Sequence, residues 1–114
     1  EERVDRRQVH VVGEGEILYL SDSKGTLHAL SKKDGSSLWS TAIGRGALTA
    51  PVLYKDLLAV GLSTQAMNFI DKKTGRILFR RFARKGISSD PFLDGDNLYY
   101  LSNGGRLYSL KVVP

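Results

Sequence analysis

The sequence predicts an all-β fold: a partial β-propeller of about three four-stranded antiparallel blades. Three observations carry the prediction. Ala29 to Trp39 is echoed by Phe69 to Phe79 at a constant offset, since Leu30 to Ile70, Gly35 to Gly75 and Trp39 to Phe79 are each about 40 residues apart, the period of a propeller blade. Each copy reads as an apolar strand, a polar turn with glycine, and an apolar strand that closes in a large aromatic. Glycine or proline recurs every few residues, and no apolar stripe of helical period survives past one turn, so helix is a poor reading anywhere.

The chain in order supports this. Residues 1–8 are polar and basic, and are either a lead-in or the end of a preceding blade. Val9 to Val12 is a β-branched run ended by Gly13 to Glu16. Ile17 to Leu20 is apolar throughout, as a strand covered on both faces would be. Asp22 to Gly25 turns, Thr26 to Leu30 is the third strand, and Leu38 to Thr41 the fourth. Between the last two, Asp34-Gly35 supplies positive φ for a tight hairpin.

A second unit opens with Ala50 to Leu53 and turns at Tyr54-Lys55-Asp56. It continues with Leu57 to Val60, Ala66 to Ile70 and Ile77 to Phe82. A third opens with Asp90 to Leu93 and turns at Asp94 to Asn97. Leu98 to Leu101 and Arg106 to Leu110 follow, and a fourth strand is missing or truncated. The whole chain is one propeller segment, residues 1–114, with blades at 9–46, 47–86 and, incomplete, 87–114. Closed propellers need roughly 4 to 8 blades. Three blades alone leave a bare apolar sheet face at each end, so more of the same chain or another subunit is expected to complete the stack.

Composition narrows the function. Seventeen Lys and Arg stand against 12 acidic residues, a formal charge of +5. That excess favours anionic neighbours only weakly. With no cysteine, there is no disulfide framework and no thiolate metal site. Glu1 to Arg7 is charged with no apolar core behind it, unlike a signal peptide. No apolar run is long enough to span a bilayer as a helix. Any export signal or lipid anchor is expected outside these residues.

The paired stretches resemble the PQQ-type propeller repeat, which also builds the BamB-like outer-membrane assembly lipoproteins. The usual repeat is a strand ending in Ala-Leu-Asp, a Gly-centred turn, and a strand closing in Trp. Ala29-Leu30 and Gly35 to Trp39 match it, with Ser31 where Asp is usual. Asp71 and Gly75 match in the second unit, where Phe69 replaces Ala and Phe79 replaces Trp. The third unit keeps Leu107 to Leu110, and Leu18-Tyr19 and Leu98-Tyr99 resemble the second strand. The resemblance implies a non-enzymatic, protein-binding scaffold of the Gram-negative envelope, periplasmic and associated with the outer membrane. The alternatives are a segment of a PQQ-dependent quinoprotein dehydrogenase, or a structural subunit of a larger envelope machine. Quinoproteins of the family hold a quinone, a calcium ion and often paired cysteines. This chain lacks cysteine and any clustered oxygen cage, so no cofactor is expected.

Trp39 and Phe79 are expected to lock one blade against the next, with ligand stacking as the alternative. His10 and His28 lack partners at metal-ligand spacing, so His28 is read as a satisfied or exposed histidine. Asp94, Asp96 and Asn97 fit a turn better than a calcium loop. Gly13-Glu14-Gly15 and Gly44-Arg45-Gly46 precede no helix and are not phosphate loops. No nucleophile elbow and no Ser–His–acid set stands out, so no catalytic residue is expected.

Arg80, Arg81, Arg84 and Lys85 form the strongest charge cluster, on a fourth strand and the linker after it. They are the candidate partner-binding residues, for an acidic protein or an anionic lipid, against a solvated edge. Nucleic acid is not expected, because charge without a recognition motif gives only non-specific binding. The turn near Asp22 and the linkers Gly44 to Thr49 and Ala83 to Ser89 are further candidate contact regions.

Overall fold

The computed structural model describes residues 10–111. It contains eleven strands and, among the described residues, no helix. Strands β1 (His10–Glu14), β2 (Ile17–Ser21), β3 (Thr26–Ser31) and β4 (Ser37–Ala42) form one antiparallel sheet in chain order. Strands β5 (Val52–Tyr54), β6 (Leu57–Gly61), β7 (Ala66–Asp71) and β8 (Ile77–Phe82) form a second. Strands β9 (Phe92–Asp94), β10 (Asn97–Leu101) and β11 (Leu107–Lys111) form a three-stranded third. The all-β propeller architecture predicted from the 40-residue echo is present; the lead-in 1–8 lies outside the described residues.

Several local expectations shift. The first strand runs on through Gly13 and Glu14, leaving Gly15 and Glu16 as a two-residue turn. Tyr54, Asp94 and Asn97 are paired strand residues rather than turn residues, and Arg106 precedes β11. These turns are tighter than composition suggests because a left-handed residue begins each: Gly15 (φ 58), Lys55 (φ 57) and Gly95 (φ 60). Asp34-Gly35 does not close a two-residue hairpin. Five residues join β3 to β4, and only Gly35 takes positive φ (74) there, donating to the Ser31 carbonyl at 2.8 Å.

Both fourth strands carry the same bulge. Ala29 faces Trp39 and Leu30 faces Ser37, so Leu38 is the extra residue; Phe69 faces Phe79 and Ile70 faces Ile77, so Leu78 is. A bulge unpairs one residue and turns it out of the ladder, which is why Leu38 and Leu78 are exposed.

Two apolar layers hold the sheets together. One joins Tyr19, Leu27 and Ala29 of the first sheet to Leu58, Val60 and Ile70 of the second. The other joins Ala59, Met67 and Phe69 of the second sheet to Leu98 and Tyr100 of the third. Strand residues alternate faces, so the middle sheet is covered on both sides and β6 and β7 are almost wholly buried. The far face of the third sheet, with Phe92, Leu101 and Leu107, is exposed.

The meander gives the stack two distinct ends. The β1–β2 and β3–β4 turns and their counterparts lie at one. The β2–β3, β6–β7 and β10–β11 turns lie at the other, with the linkers that cross from β4 to β5 and β8 to β9. Backbone bonds tie linkers to turns there: Leu48 N to Asp22 O, Ser63 N to Ala47 O, Ile87 N to Leu62 O and Gly104 N to Arg84 O.

Candidate partner-binding surface

The four cations singled out in the sequence are brought together at the linker end, but not in equal states. Arg80, Arg81, Arg84 and Lys85 are all exposed. Arg80 turns back towards the first sheet, where its Nη2 donates to the Ile43 carbonyl at 3.1 Å. Arg81 points to the opposite face and lies over the Phe79 ring at 5.2 Å, a favourable cation–π contact. The Arg84 side chain lies over Gly104, where an added Cβ would come within 2.8 Å of its Cγ.

Lys85 occupies a left-handed position (φ 62) in a turn closed by Gly86 N donating to the Ala83 carbonyl at 2.8 Å. That conformation is costly for a residue with a Cβ. It is held by Asn103, whose Nδ2 donates to the carbonyls of Lys85 and Ser63 and to Ser88 Oγ. The linker is therefore a clamped surface rather than a loose tether.

Phe82 was missed. Sequence reading placed it at the end of a fourth strand, yet it is 73% exposed, among Arg81, Arg84 and Lys85 in the chain. The signal was in the spacing: Phe79 and Phe82 are three apart and so fall on opposite faces of β8. Phe79 goes inward, stacked on Phe69 with centroids 4.4 Å apart.

Trp39, at the position corresponding to Phe79, reaches across the junction between the first two sheets. Its Nε1 donates to the Lys72 carbonyl at 3.1 Å, and its ring packs over Gly75, where a Cβ would sit 2.5 Å away. Beside it Thr41 Oγ1 donates to the Gly75 carbonyl at 2.6 Å. On the same side Lys72 Nζ pairs with Glu14 Oε1 at 2.9 Å. The Glu14 contact raises the Lys72 pKa above the ordinary lysine range.

The structure also assembles a Ser–His–acid chain that the sequence reading did not find. Asp22 Oδ2 meets His28 Nε2 at 3.1 Å, and His28 Nδ1 meets Ser40 Oγ at 3.1 Å. Asp22 and His28 are buried. Register does this: β3 lies between β2 and β4, and His28 faces both Leu20 and Ser40. The second Asp22 oxygen accepts from Lys24 N and Thr26 N, both at 2.9 Å. The carboxylate thus spends its acceptor capacity on the turn, and the chain of bonds anchors that turn to the sheet. At the corresponding second-sheet positions stand Leu62, Asn68 and Arg80. There Asn68 is buried with its Oδ1 unpaired.

Among the described residues no group of three or more His, Cys, Asp or Glu could hold a metal ion. Gly95-Asp96 forms the third-sheet turn, and the Asp96 carbonyl accepts from the Tyr54 hydroxyl.

Comparison with known proteins gives a consistent picture. A family model described as outer membrane protein assembly factor BamB matches residues 3–113. The assembly factor of Legionella pneumophila (strain Paris) is 35% identical over 96 residues, 83% of this chain and 25% of that protein. That of Alkalilimnicola ehrlichii is 36% identical over 98 residues, 84% of this chain and 26% of that protein. The chain therefore spans about a quarter of the length of these relatives. Among solved structures, the computationally designed Ika4 protein superposes with a TM-score of 0.78 at 15% identity, over 90% of this chain and 64% of that one. BamB from Moraxella catarrhalis superposes at 0.73 with 19% identity, over 90% of this chain and 32% of that one. At those identities the structural matches speak for the fold.

Proposed function

Since the chain belongs to the BamB family of outer membrane protein assembly factors, we propose that it is a non-enzymatic, protein-binding part of such a factor, working on the periplasmic side of the outer membrane. The family match, which covers nearly all of the chain, carries this reading. The geometry supports it in kind. Stacked sheets fix the linkers by backbone bonds at one end, and rigid loops on a packed scaffold are a common way to present a binding surface at low ordering cost. Arg81, Arg84, Lys85 and the exposed Phe82 are the residues proposed to meet a protein partner. Arginine and exposed aromatic side chains are both enriched at protein interfaces. Trp39 and Phe79 are proposed to hold the blades in register beneath it.

The test is site-specific photo-crosslinking in Gram-negative cells, with the crosslinker at Phe82 and, for comparison, at Lys33 on the opposite end. Adducts with envelope assembly proteins from position 82 support the reading. Adducts from neither position, with the protein folded and exported, overturn it.

A further inference from the structure

Charge is segregated along the strand direction, between the two sets of turns, in a way that the linear sequence hides. At the end that carries the β1–β2 and β3–β4 turns and their counterparts, seven acidic residues are matched by seven basic ones. The linker end differs. Lys24 and Arg45 project from the first sheet's turn and linker, Arg81, Arg84 and Lys85 from the second, and Arg106 from the third, and all six are exposed. Arg80 adds to them from β8. The acidic residues at this end, Asp22 and Asp90, are both engaged. Asp22 holds its turn and His28, and Asp90 Oδ1 accepts from Ala50 N at 2.9 Å. The chain's excess positive charge among the described residues therefore sits on one face. Like charges gathered on one rigid face raise the local potential, and that attracts an oppositely charged partner and speeds its encounter.

We propose that this linker-end face docks an acidic, extended polypeptide segment whose carboxylates alternate with apolar side chains. Three features favour that chemistry. Five of the seven exposed cations, counting Arg80, are arginines, whose planar forks bind carboxylates in bidentate fashion. Among the described strands β8 pairs with β7 alone, so its outer edge is open to an added strand. Along β8, Arg81 and the exposed Phe82 point to opposite faces. A paired strand of period two would set a carboxylate beside Arg81 on one face and an apolar side chain over Phe82 on the other. This rests on the protein-binding reading above and names the chemistry of the partner and the end of the stack that it meets.

The test uses the full chain and a fluorescein-labelled peptide of alternating glutamate and leucine, followed by anisotropy at low and at raised salt. Two charge reversals of equal size are compared: Arg84→Glu with Lys85→Glu at the linker end, and Lys73→Glu with Arg76→Glu at the other. The neutral pair Arg84→Ser with Lys85→Gly removes charge while relieving the left-handed lysine, and its melting temperature against the parent's separates loss of charge from loss of fold. Binding that weakens by about tenfold in both linker-end variants, by less than about twofold in the opposite-end variant, and with salt, is the expected result. Equal loss at both ends would mean that net charge alone acts, and would overturn the proposal. So would no peptide binding, or tighter linker-end binding to vesicles of one part phosphatidylglycerol to three parts phosphatidylethanolamine. If the peptide result fails while position 82 still crosslinks to an assembly protein, the scaffold reading stands and only this assignment falls.

Discussion

The indole Nε1 of Trp39 donates to the carbonyl of Lys72 across the junction of the first two sheets, at 3.1 Å. One side chain thereby joins two blades through both a hydrogen bond and its packed ring. Trp39→Ala should lower stability by about 3 kcal/mol, the lower end for a large aromatic because the ring is only partly buried. Trp39→Phe keeps most of the packing and should cost about 1 kcal/mol for the lost bond. Urea unfolding of the two variants measures both; an Ala variant as stable as the parent removes Trp39 as a junction residue.

Gly75 and Gly35 hold corresponding places but should respond differently. Both have positive φ, 79 and 74. A Cβ at Gly75 would strike the Trp39 ring at 2.5 Å, whereas one at Gly35 meets nothing within 4 Å. Gly35→Ala is expected to cost about 1 kcal/mol for backbone strain alone. Gly75→Ala adds displacement of the indole and should cost at least about 2 kcal/mol. Matching melting temperatures for the two variants would contradict the close approach.

The Asp22 and Asn68 sites should respond very differently to loss of their polar side chains. Asp22→Ala takes the acceptor from two part-buried backbone N–H groups and one partner from buried His28, at a cost of about 2 kcal/mol. Asn68→Leu removes a buried carbonyl oxygen that has no partner together with a long Nδ2 bond to the Ala66 carbonyl, which keeps Leu62 N as a donor, and should be within about 1 kcal/mol of the parent. Thermal melts of both variants decide it, and destabilisation by Asn68→Leu as large as that of Asp22→Ala would contradict the contrast between the two sites.

Stability should fall at alkaline pH. Burial raises the Tyr100 phenol above 10.0, chiefly by desolvation of the charged form. Burial, with repulsion from Glu14 second, raises that of Tyr19. A raised phenol binds its proton more tightly when folded, so its contribution is complete below pH 10.0 and is lost as pH climbs through the folded value. Lys72, raised first by its hydrogen bond with Glu14, loses its contribution in the same direction, above 10.5. That pair is partly exposed and worth on the order of 0.5 kcal/mol. Tyr100→Phe should therefore flatten the decline in denaturant midpoint between about pH 10 and 12. An unchanged decline would place the alkaline loss elsewhere.

Local chemistry explains how much could be read beforehand. The apolar run Ile17 to Leu20, the turn glycines Gly35 and Gly75 and the strand-closing aromatics Trp39 and Phe79 each express a rule confined to a few neighbouring residues, which the chain repeats after about 40. Strand, turn and blade were readable for that reason. The two-residue turn at Lys55-Asp56 is hidden in the sequence because Lys55, a residue without glycine's freedom, adopts the left-handed conformation that Gly15 and Gly95 take at corresponding positions. No composition rule anticipates that.

By itself, then, the amino-acid order determined an all-β chain of repeating four-stranded units, because strand period and turn chemistry act over short spans. Only the tertiary structure decided that Trp39 reaches Lys72, that Asp22, His28 and Ser40 line up, that Phe82 is left outward, and that cations from three sheets share one end. Those outcomes depend on register, on a bulge in each fourth strand and on how linkers fold back over turns. Such relations join residues far apart in the chain, so they are settled by packing between sheets rather than by any stretch read alone.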